Sequence, residues 1–465
     1  MSEKQDIKIS AEPVKSFFVS MLTRDIHLED AILDLLDNCV DGILRSNPDV
    51  KNEKPYNEYF AKITFSKEKF SIEDNCGGIP VSSRDYAFRM GRPNDRPSEV
   101  KGTVGVYGIG MKRAIFKIGR QCIIDTRNKN DSYKVEITPA WIKDEKDWQL
   151  LVEQTKRDSV GTTITITELN EGTTTHFENK DFFSEVLKEK IAEQYAMIIE
   201  KGFKISLNDN EIKPSPIKLI FAEDSKDGEV SIRPYIFRTT IDEVDVFLAV
   251  GFTTPIISDN EALDEQDEPR YSSQNAGWTI ICNDRVVLYC DRSELTGWGE
   301  AGVPRYHTQF IAIAGMVEFR SSDASKLPTT TTKRGIDASS TLYLKIKNKM
   351  REGMKQFTDY TNRWKGNIEE SKKHFKKTTS ETIPLNQIKE EFEVLPTTEA
   401  KNLKGKQYIP NLPKPQQPLE ESKRQIKFIV EKKRIDLVAD YLNVDNEPSN
   451  VGRSCFELVY KEATK

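Results

Sequence analysis

The chain is poor in the residues that staple or metallate a small fold. Its 465 residues include six cysteines and four histidines, and no two cysteines form a CxxC pair. Neither a disulfide framework nor a structural zinc site is therefore expected, and Cys39, Cys76, Cys122, Cys282, Cys290 and Cys455 read as reduced, buried thiols. No apolar run approaches the roughly 20 residues of a membrane span, so no membrane partner is expected. The opening MSEKQDIKIS lacks the basic-then-apolar pattern of a leader, which leaves a cytoplasmic location as the default expectation. A net charge of −5 excludes wholesale binding of polyanions and leaves room only for a local basic patch. No internal repeat is visible.

What is present suits a globular chain: 37% hydrophobic and 31% charged residues, with a length that favours two or three domains. Residues 27–46, HLEDAILDLLDNCVDGILRS, place Leu28, Ile32, Leu35, Leu36, Val40 and Ile43 at helical spacing, with Asp34, Asp37, Asn38 and Asp41 on the other face. YFAKITF and KFSIED read as strands, the second ending in the turn NCGGIP. The polar, proline-bearing stretch 84–104 reads as a surface loop, and the glycine-rich segment after it as a loop running into a helix. Strands are predicted at QCIIDTR, YKVEIT and TTITITEL, then a helix over 181–201 and the strand and turn FKISLNDNEIKP. After about Pro214 a second set of strands begins, interrupted by the acidic insertion SDNEALDEQDEPR. Residues 341–377 are helix-compatible and carry 11 Lys/Arg against 4 Asp/Glu. The prolines of 378–424 suggest a linker, and the last forty residues a small strand-plus-helix module.

Three short patterns carry chemistry. Asp34 and Asn38, four apart on one helix, project from the same face; an amide oxygen there can ligate Mg²⁺ while a carboxylate orients a water, although such a face is more often simply solvated. Asp74-Asn75-Cys76-Gly77-Gly78 stands where a strand ends. A carboxylate so placed can accept a hydrogen bond from an exocyclic amine, or else stabilise an ordinary turn. Gly105-Val106-Tyr107-Gly108-Ile109-Gly110-Met111-Lys112 opens a helix, where freed backbone N–H groups and the helix dipole favour an anion. The spacing is not that of a P-loop, and no strand opens the chain as a dinucleotide-binding fold would require.

In this order the three patterns resemble the N, G1 and G2 boxes of the GHKL superfamily, which includes DNA gyrase B subunits, the heat-shock chaperones of this class, sensor histidine kinases, MutL and MORC proteins. Gly161-Thr162-Thr163-Ile164 resembles the box that follows. The resemblance spans about 135 residues. It implies an α+β protein whose residues 1–212 form a Bergerat-type α/β sandwich that binds ATP and Mg²⁺. It further implies Asp34 as the catalytic base, Asn38 as the metal ligand, Asp74 as partner of the adenine amine, and Gly78 as the point of close approach to the ring. Gly105, Gly108, Gly110 and Lys112 would lie at the phosphates, Thr162 would support the base, and 84–104 would be the lid. Two departures stand out: Asp34 occupies a position usually held by Glu, and Cys76 one usually held by Gly. Hydrolysis is accordingly expected to be slow.

GWTIICNDRVV, TGWGEAGVPRYHTQF and LPTTTTKRGID resemble the ribosomal-S5-like transducer domain of gyrase, MutL and MORC proteins, expected here over 213–345. A basic helix and linker over 346–424 and a C-terminal module over 425–465 would follow. In that family setting a loop lysine reaches the γ-phosphate; Lys333 is the candidate and Arg334 its neighbouring alternative. The leading expectation is a clamp, closest to MORC- and MutL-like proteins, that forms an ATP-dependent homodimer and acts on DNA or a separate effector protein. The alternatives are a nucleotide-sensing subunit of a bacterial defence or restriction-like system, and a chaperone-like ATPase. A histidine kinase is not expected, since only 33 residues precede Asp34.

Overall fold

The computed structural model describes residues 14–47, 54–89, 109–222, 232–258, 261, 275–330, 333–377, 380–415 and 429–464. Two compact units divide the chain, Met1–Pro415 and Gln416–Lys465. Among the described residues the first contains two large sheets, each with its own apolar core, and one two-stranded sheet.

The N-terminal sheet comprises β1 Phe60–Phe65, β2 Phe70–Asp74, β3 Gly119–Arg127, β4 Ser132–Ile137, β5 Val152–Gln154, β6 Gly161–Leu169, β7 Lys204–Leu207 and β8 Asn210–Glu211. They run in the order β5-β4-β3-β6-β2-β1-β7-β8, antiparallel throughout except where β1 meets β7. Residues along β1 and β4 alternate between buried and partly exposed, the signature of a sheet covered on one face. The cover is helical: α1 Lys15–Arg24, α2 Leu28–Ser46, α4 Gly110–Ile118 and α7 Lys180–Gln194, with the shorter α3 Val81–Phe88, α5 Pro139–Lys143, α6 Glu171–Glu178 and α8 Ala196–Glu200 at the margins. Ile32, Leu36 and Val40 of α2 meet Ile63 and Phe65 of β1, Ile115 of α4 and Leu187 of α7 in one cluster. All six apolar positions read from the sequence of α2 are buried.

The polar face of that helix is buried too. Asp34, Asp37 and Asp41 are each no more than 4% exposed, which overturns the solvated-face alternative.

The second sheet follows the order β13-β12-β14-β11-β10-β17-β16. Its strands are β10 Tyr235–Ile241, β11 Val244–Phe252, β12 Gly277–Cys282, β13 Arg285–Asp291, β14 Ile313–Arg320, β16 Thr398–Glu399 and β17 Lys406–Tyr408. β12 and β14 are parallel; the other pairs are antiparallel. Both faces are covered, and successive side chains go to opposite layers. Tyr235, Leu248 and Val250 pack under α9 Thr341–Trp364 with Ile346, Met350, Met354 and Trp364. Ile236, Phe247 and Ala249 face Leu219, Ile388 and Phe392, from β9 Lys218–Ala222 and α11 Leu385–Phe392.

Two expectations change here. The stretch 341–377 is two helices, α9 and α10 Ile368–Lys377, and one face of α9 is core. On its outer side Lys347 and Arg351 both pair with Glu300 at 2.8 Å, so part of the basic surplus is neutralised within the chain. Residues 380–408, read as linker, instead supply β15 Ser380–Pro384 against β9, then α11, β16 and β17. Proline content misled because Pro384 stands at the end of β15 and caps α11, where a missing N–H costs nothing. Most of the acidic insertion lies outside the described residues. In the C-terminal unit the described segment is helical, α12 Lys432–Leu442 and α13 Pro448–Ala463, and most of the expected strand falls outside the described residues.

The sheets of the first unit are joined by charge. The β12–β13 turn holds Asn283 and Asp284 at φ +47° and +68°, the left-handed pair that a tight hairpin needs. It presents Asp284 and Arg285 to the N-terminal half. Asp284 accepts from Tyr56 Oη at 2.9 Å and Lys201 Nζ at 2.6 Å and pairs with Arg320. Arg285 donates from Nε to Asp37 Oδ1 at 2.9 Å and from Nη1 to Gln194 Oε1 at 2.8 Å, and lies 4.3 Å from the Tyr195 ring centre. Removing one partner from a buried ion pair strands the other. Arg285→Met should therefore cost about 3–5 kcal/mol of stability in urea unfolding. Lys201→Met should cost less, because Asp284 keeps Tyr56 and Arg320.

Candidate functional site

A pocket opens between α2, the end of β2 and the start of β6, lined among others by Asn38, Cys39, Asp74, Gly78, Met111 and Thr162. Four positions chosen from three separate motifs, Asn38, Asp74, Gly78 and Thr162, thus share one cavity. Sheet register brings two of them together: β2 and β6 pair antiparallel with Asp74 opposite Thr162. The approach is close, for a Cβ on Gly161 (φ +138°) would lie 1.9 Å from the Asp74 carbonyl oxygen. Gly78, at φ +70°, is as constrained, since its Cβ would meet the Arg127 carbonyl oxygen at 2.1 Å.

The Asp74 carboxylate is oriented on both oxygens. Oδ1 accepts the Cys76 N–H at 2.7 Å, and the Cys39 thiol lies 3.6 Å from Oδ2. Burial pushes its pKa up to about 6, against the hydrogen bonds that favour the ionised form. The Cys39 thiol is pushed well up by its contact with Cys76 and by burial. Cys76, the departure from the glycine pattern, fits because it is buried with its carbonyl against Gly42 of α2, where a Cβ would sit 2.4 Å away. Below the pocket floor Thr126 links the strands: its Oγ1 accepts the Ile79 N–H at 2.9 Å and lies 3.0 Å from Thr162 Oγ1.

Gly105 and Gly108 lie outside the described residues, as does the expected lid beyond Arg89; residues 84–88 belong to α3. Gly110 opens α4 beside Asp34, 3.5 Å from that carboxylate by its would-be Cβ. Lys112 was expected near the phosphates, and Gly105 and Gly108 of that loop lie outside the described residues. The Lys112 ammonium donates to the Ala87 carbonyl at 2.8 Å, tying α4 to α3, and burial lowers its pKa to about 8.

Asp34 is held by two arginines. Arg113, one turn into α4, donates to Oδ2 from Nε at 3.1 Å and Nη2 at 2.6 Å. Arg334 donates from Nη2 to Oδ1 at 3.1 Å and to the Asp30 carbonyl, while its Nε stands 3.1 Å from Asp30 Oδ1 without the alignment of a hydrogen bond. Lys333, next to it, reaches Asp37 Oδ2 at 3.3 Å. Asp37 also accepts the Tyr195 hydroxyl at 2.6 Å and Arg285. Burial raises its pKa, but Lys333, Arg285 and that hydroxyl outweigh burial and hold the carboxyl well below the usual range. Backbone bonds flank the cations: Thr330 N–H donates to Gly335 O at 3.1 Å and Lys333 N–H to Thr330 O at 2.9 Å, with Lys333 itself at φ +58°.

Asn38 donates from its amide nitrogen to the Asp34 carbonyl at 2.9 Å, one turn back on its own helix. Sequence reasoning missed Arg113, Cys39, Thr126, Tyr195 and Arg285. Arg113 was within reach, three residues after Gly110 and so on the same helical face. Thr126 and Arg285 gave no local signal, because strand pairing and a distant hairpin bring them in.

Residues 26–173 match the family described as Histidine kinase-, DNA gyrase B-, and HSP90-like ATPase. The matched segment runs from the start of α2 through the pocket strands, and supports the GHKL superfamily for this part of the chain, with ATP binding and a nucleotide-dependent ATPase role. A search of curated proteins found no match.

Asp74 supplies a pH signature. Its folded pKa of about 6 exceeds its ordinary 3.8, so the folded state holds the extra proton between those values. Its contribution to stability is therefore full below about pH 4 and is lost as pH rises through 6. Thermal melts should show that slope in the native chain and lose it in Asp74→Asn. If Asp74 meets the adenine amine as the family resemblance implies, ATP affinity in the variant should fall at least about tenfold by calorimetry, since an amide presents the amine with either a weaker acceptor oxygen or an NH2 that only donates.

Proposed function

We propose that this chain is an ATP-gated switch, whose nucleotide is gripped by Asn38, Asp74, Gly78 and Thr162 and sensed by a cationic loop of a ribosomal-S5-like transducer domain. The carrying observation is the convergence of Asn38, Asp74, Gly78 and Thr162 on one pocket within the matched segment. The Asp74 carboxylate accepts the adenine amine, Gly78 admits the ring edge, and Thr162 holds Asp74's strand in register. The phosphates lie toward Gly110 and the start of α4, with Gly105 and Gly108 completing the cradle.

The donor set fits Mg²⁺. Asn38 offers a single amide oxygen, and no group of three His, Cys, Asp or Glu suited to a metal occurs among the described residues. A Mg²⁺ ion that takes its other ligands from phosphates and water suits such a site, where it would neutralise phosphate charge.

Lys333 and Arg334 couple the site to the transducer. Both sit on carboxylates of α2 and can exchange them for a terminal phosphate, which offers more charge and more acceptor oxygens. Departure of Arg334 frees Asp34 Oδ1 to orient a water, while Arg113 keeps the carboxylate in place. Hydrolysis returns both cations to α2. In this reading the ATP-bound form dimerises and acts on a partner, DNA or a separate effector protein.

A second reading, a nucleotide sensor with weak turnover, is favoured by one observation: both oxygens of Asp34 already carry arginine partners. ATP turnover separates the two. For the switch, Asp34→Ala should lower kcat by about a hundredfold with ATP affinity little changed, and Lys333→Ala by about tenfold. DNA should raise the rate if it is the partner. Tight binding without turnover selects the sensor, and turnover indifferent to both substitutions refutes the mechanism.

A further inference from the structure

Three buried side-chain donors have no hydrogen-bond partner among the described residues: Arg45 Nε, Trp298 Nε1 and Arg334 Nε. An unpaired buried donor is costly, so each calls for an acceptor from outside its present surroundings. Arg334 already serves the carboxylates of α2, and Trp298 packs against Tyr306 and Phe310. Arg45, half-buried, alone of the three lines the pocket shared by Asn38, Asp74, Gly78 and Thr162.

Helix geometry says where Arg45 stands. Asn38, Gly42 and Arg45 fall at i, i+4 and i+7, on one face of α2. Gly42 between them has no room for a side chain, because its Cβ would lie 2.4 Å from the Cys76 carbonyl oxygen. The face therefore offers the pocket an amide at one end and a guanidinium at the other. Cys39, next to Asn38, has its thiol 3.6 Å from Asp74 Oδ2, which sets Asp74 level with the amide. Arg45 is six residues further on, about 9 Å along the axis, and helical side chains lean back toward the N-terminus. The turn it leans over is that of Cys76 and Gly77, where a Cβ on Gly77 would lie 1.7 Å from Ser46 Oγ. Burial raises the Cys76 pKa, and Arg45 is one of the groups that oppose the rise.

We propose that Arg45 reads the nucleotide base: its guanidinium donates to the adenine ring nitrogen, N1 or N7, that neighbours the amine taken by Asp74. The inference rests on the ATP reading above. Adenine presents a donor, its amine, beside an acceptor ring nitrogen on either edge, and an aspartate with an arginine beyond it offers the complementary acceptor and donor. Guanine carries an oxygen in place of the amine and would oppose Asp74. Arg113 and Arg334 could not serve, being committed to Asp34. The bond supplies the orphaned guanidinium with an acceptor and, being charged, is stronger than a neutral one.

Calorimetry of the full chain and of Arg45→Met with ATP, 1-deaza-ATP and 7-deaza-ATP, each analogue lacking one ring acceptor, tests it. The parent chain should bind at least one analogue about tenfold more weakly than ATP, and which one names the nitrogen. Arg45→Met should bind ATP about tenfold more weakly than the parent does, and that analogue no more weakly than ATP. The substitution removes a donor that has no acceptor within the chain, so the urea midpoint should not fall. A lower midpoint, a parent that takes both analogues as well as ATP, a variant that keeps the parent's preference, or a variant that binds ATP as tightly as the parent would each overturn the proposal and leave ATP binding standing. A parent that binds no ATP overturns it together with the reading on which it rests.

Discussion

Everything around the pocket follows from burying carboxylates on α2. An isolated carboxylate in an apolar interior is prohibitively costly, so Asp34 and Asp37 can be buried only if cations are delivered to them. The chain delivers four, and none comes from α2 itself: Arg113 from α4, Arg285 from a hairpin turn, and Lys333 and Arg334 from a loop some 300 residues away. Each ion pair pins its element to the helix that also carries Asn38.

Those pairs differ in how firmly they are held. Arg285 is 1% exposed and bound by carboxylate, amide and aromatic ring together, which makes it a fixed anchor. Lys333 and Arg334 are about 15% exposed, and Lys333 is held at φ +58°. A fixed anchor beside two more exposed cations is the arrangement the proposed switch requires, since a competing anion could draw these two away without unseating the helix. Asp37 would keep its charge if Lys333 left it in the proposed switch, because Arg285 and Tyr195 would remain.

The Asp74 end of the pocket follows another logic. Among the described residues no cation stands within hydrogen-bonding reach of Asp74; backbone N–H groups and a thiol orient it, and burial raises its pKa to about 6. A carboxylate so poised is a strong acceptor for a neutral amine, whereas one locked in an ion pair would have its lone pairs already engaged. One helix and one strand end thus present two carboxylate environments, set by which neighbours tertiary packing supplies.

Local pattern was enough to determine the early helix with its apolar stripe and the pocket strands, because helical and strand periodicity are properties of neighbouring residues, while the family resemblance singled out Asn38, Asp74, Gly78 and Thr162, which the fold brings to one pocket. It could not reveal that the acidic face of α2 is buried, that Lys112 turns to Ala87, or that 380–408 completes the second core. Nor could it choose between Lys333 and Arg334, which divide Asp37 and Asp34 between them. Those outcomes rest on pairings between residues tens to hundreds of positions apart, and only the folded chain brings such residues close enough for charge and register to act.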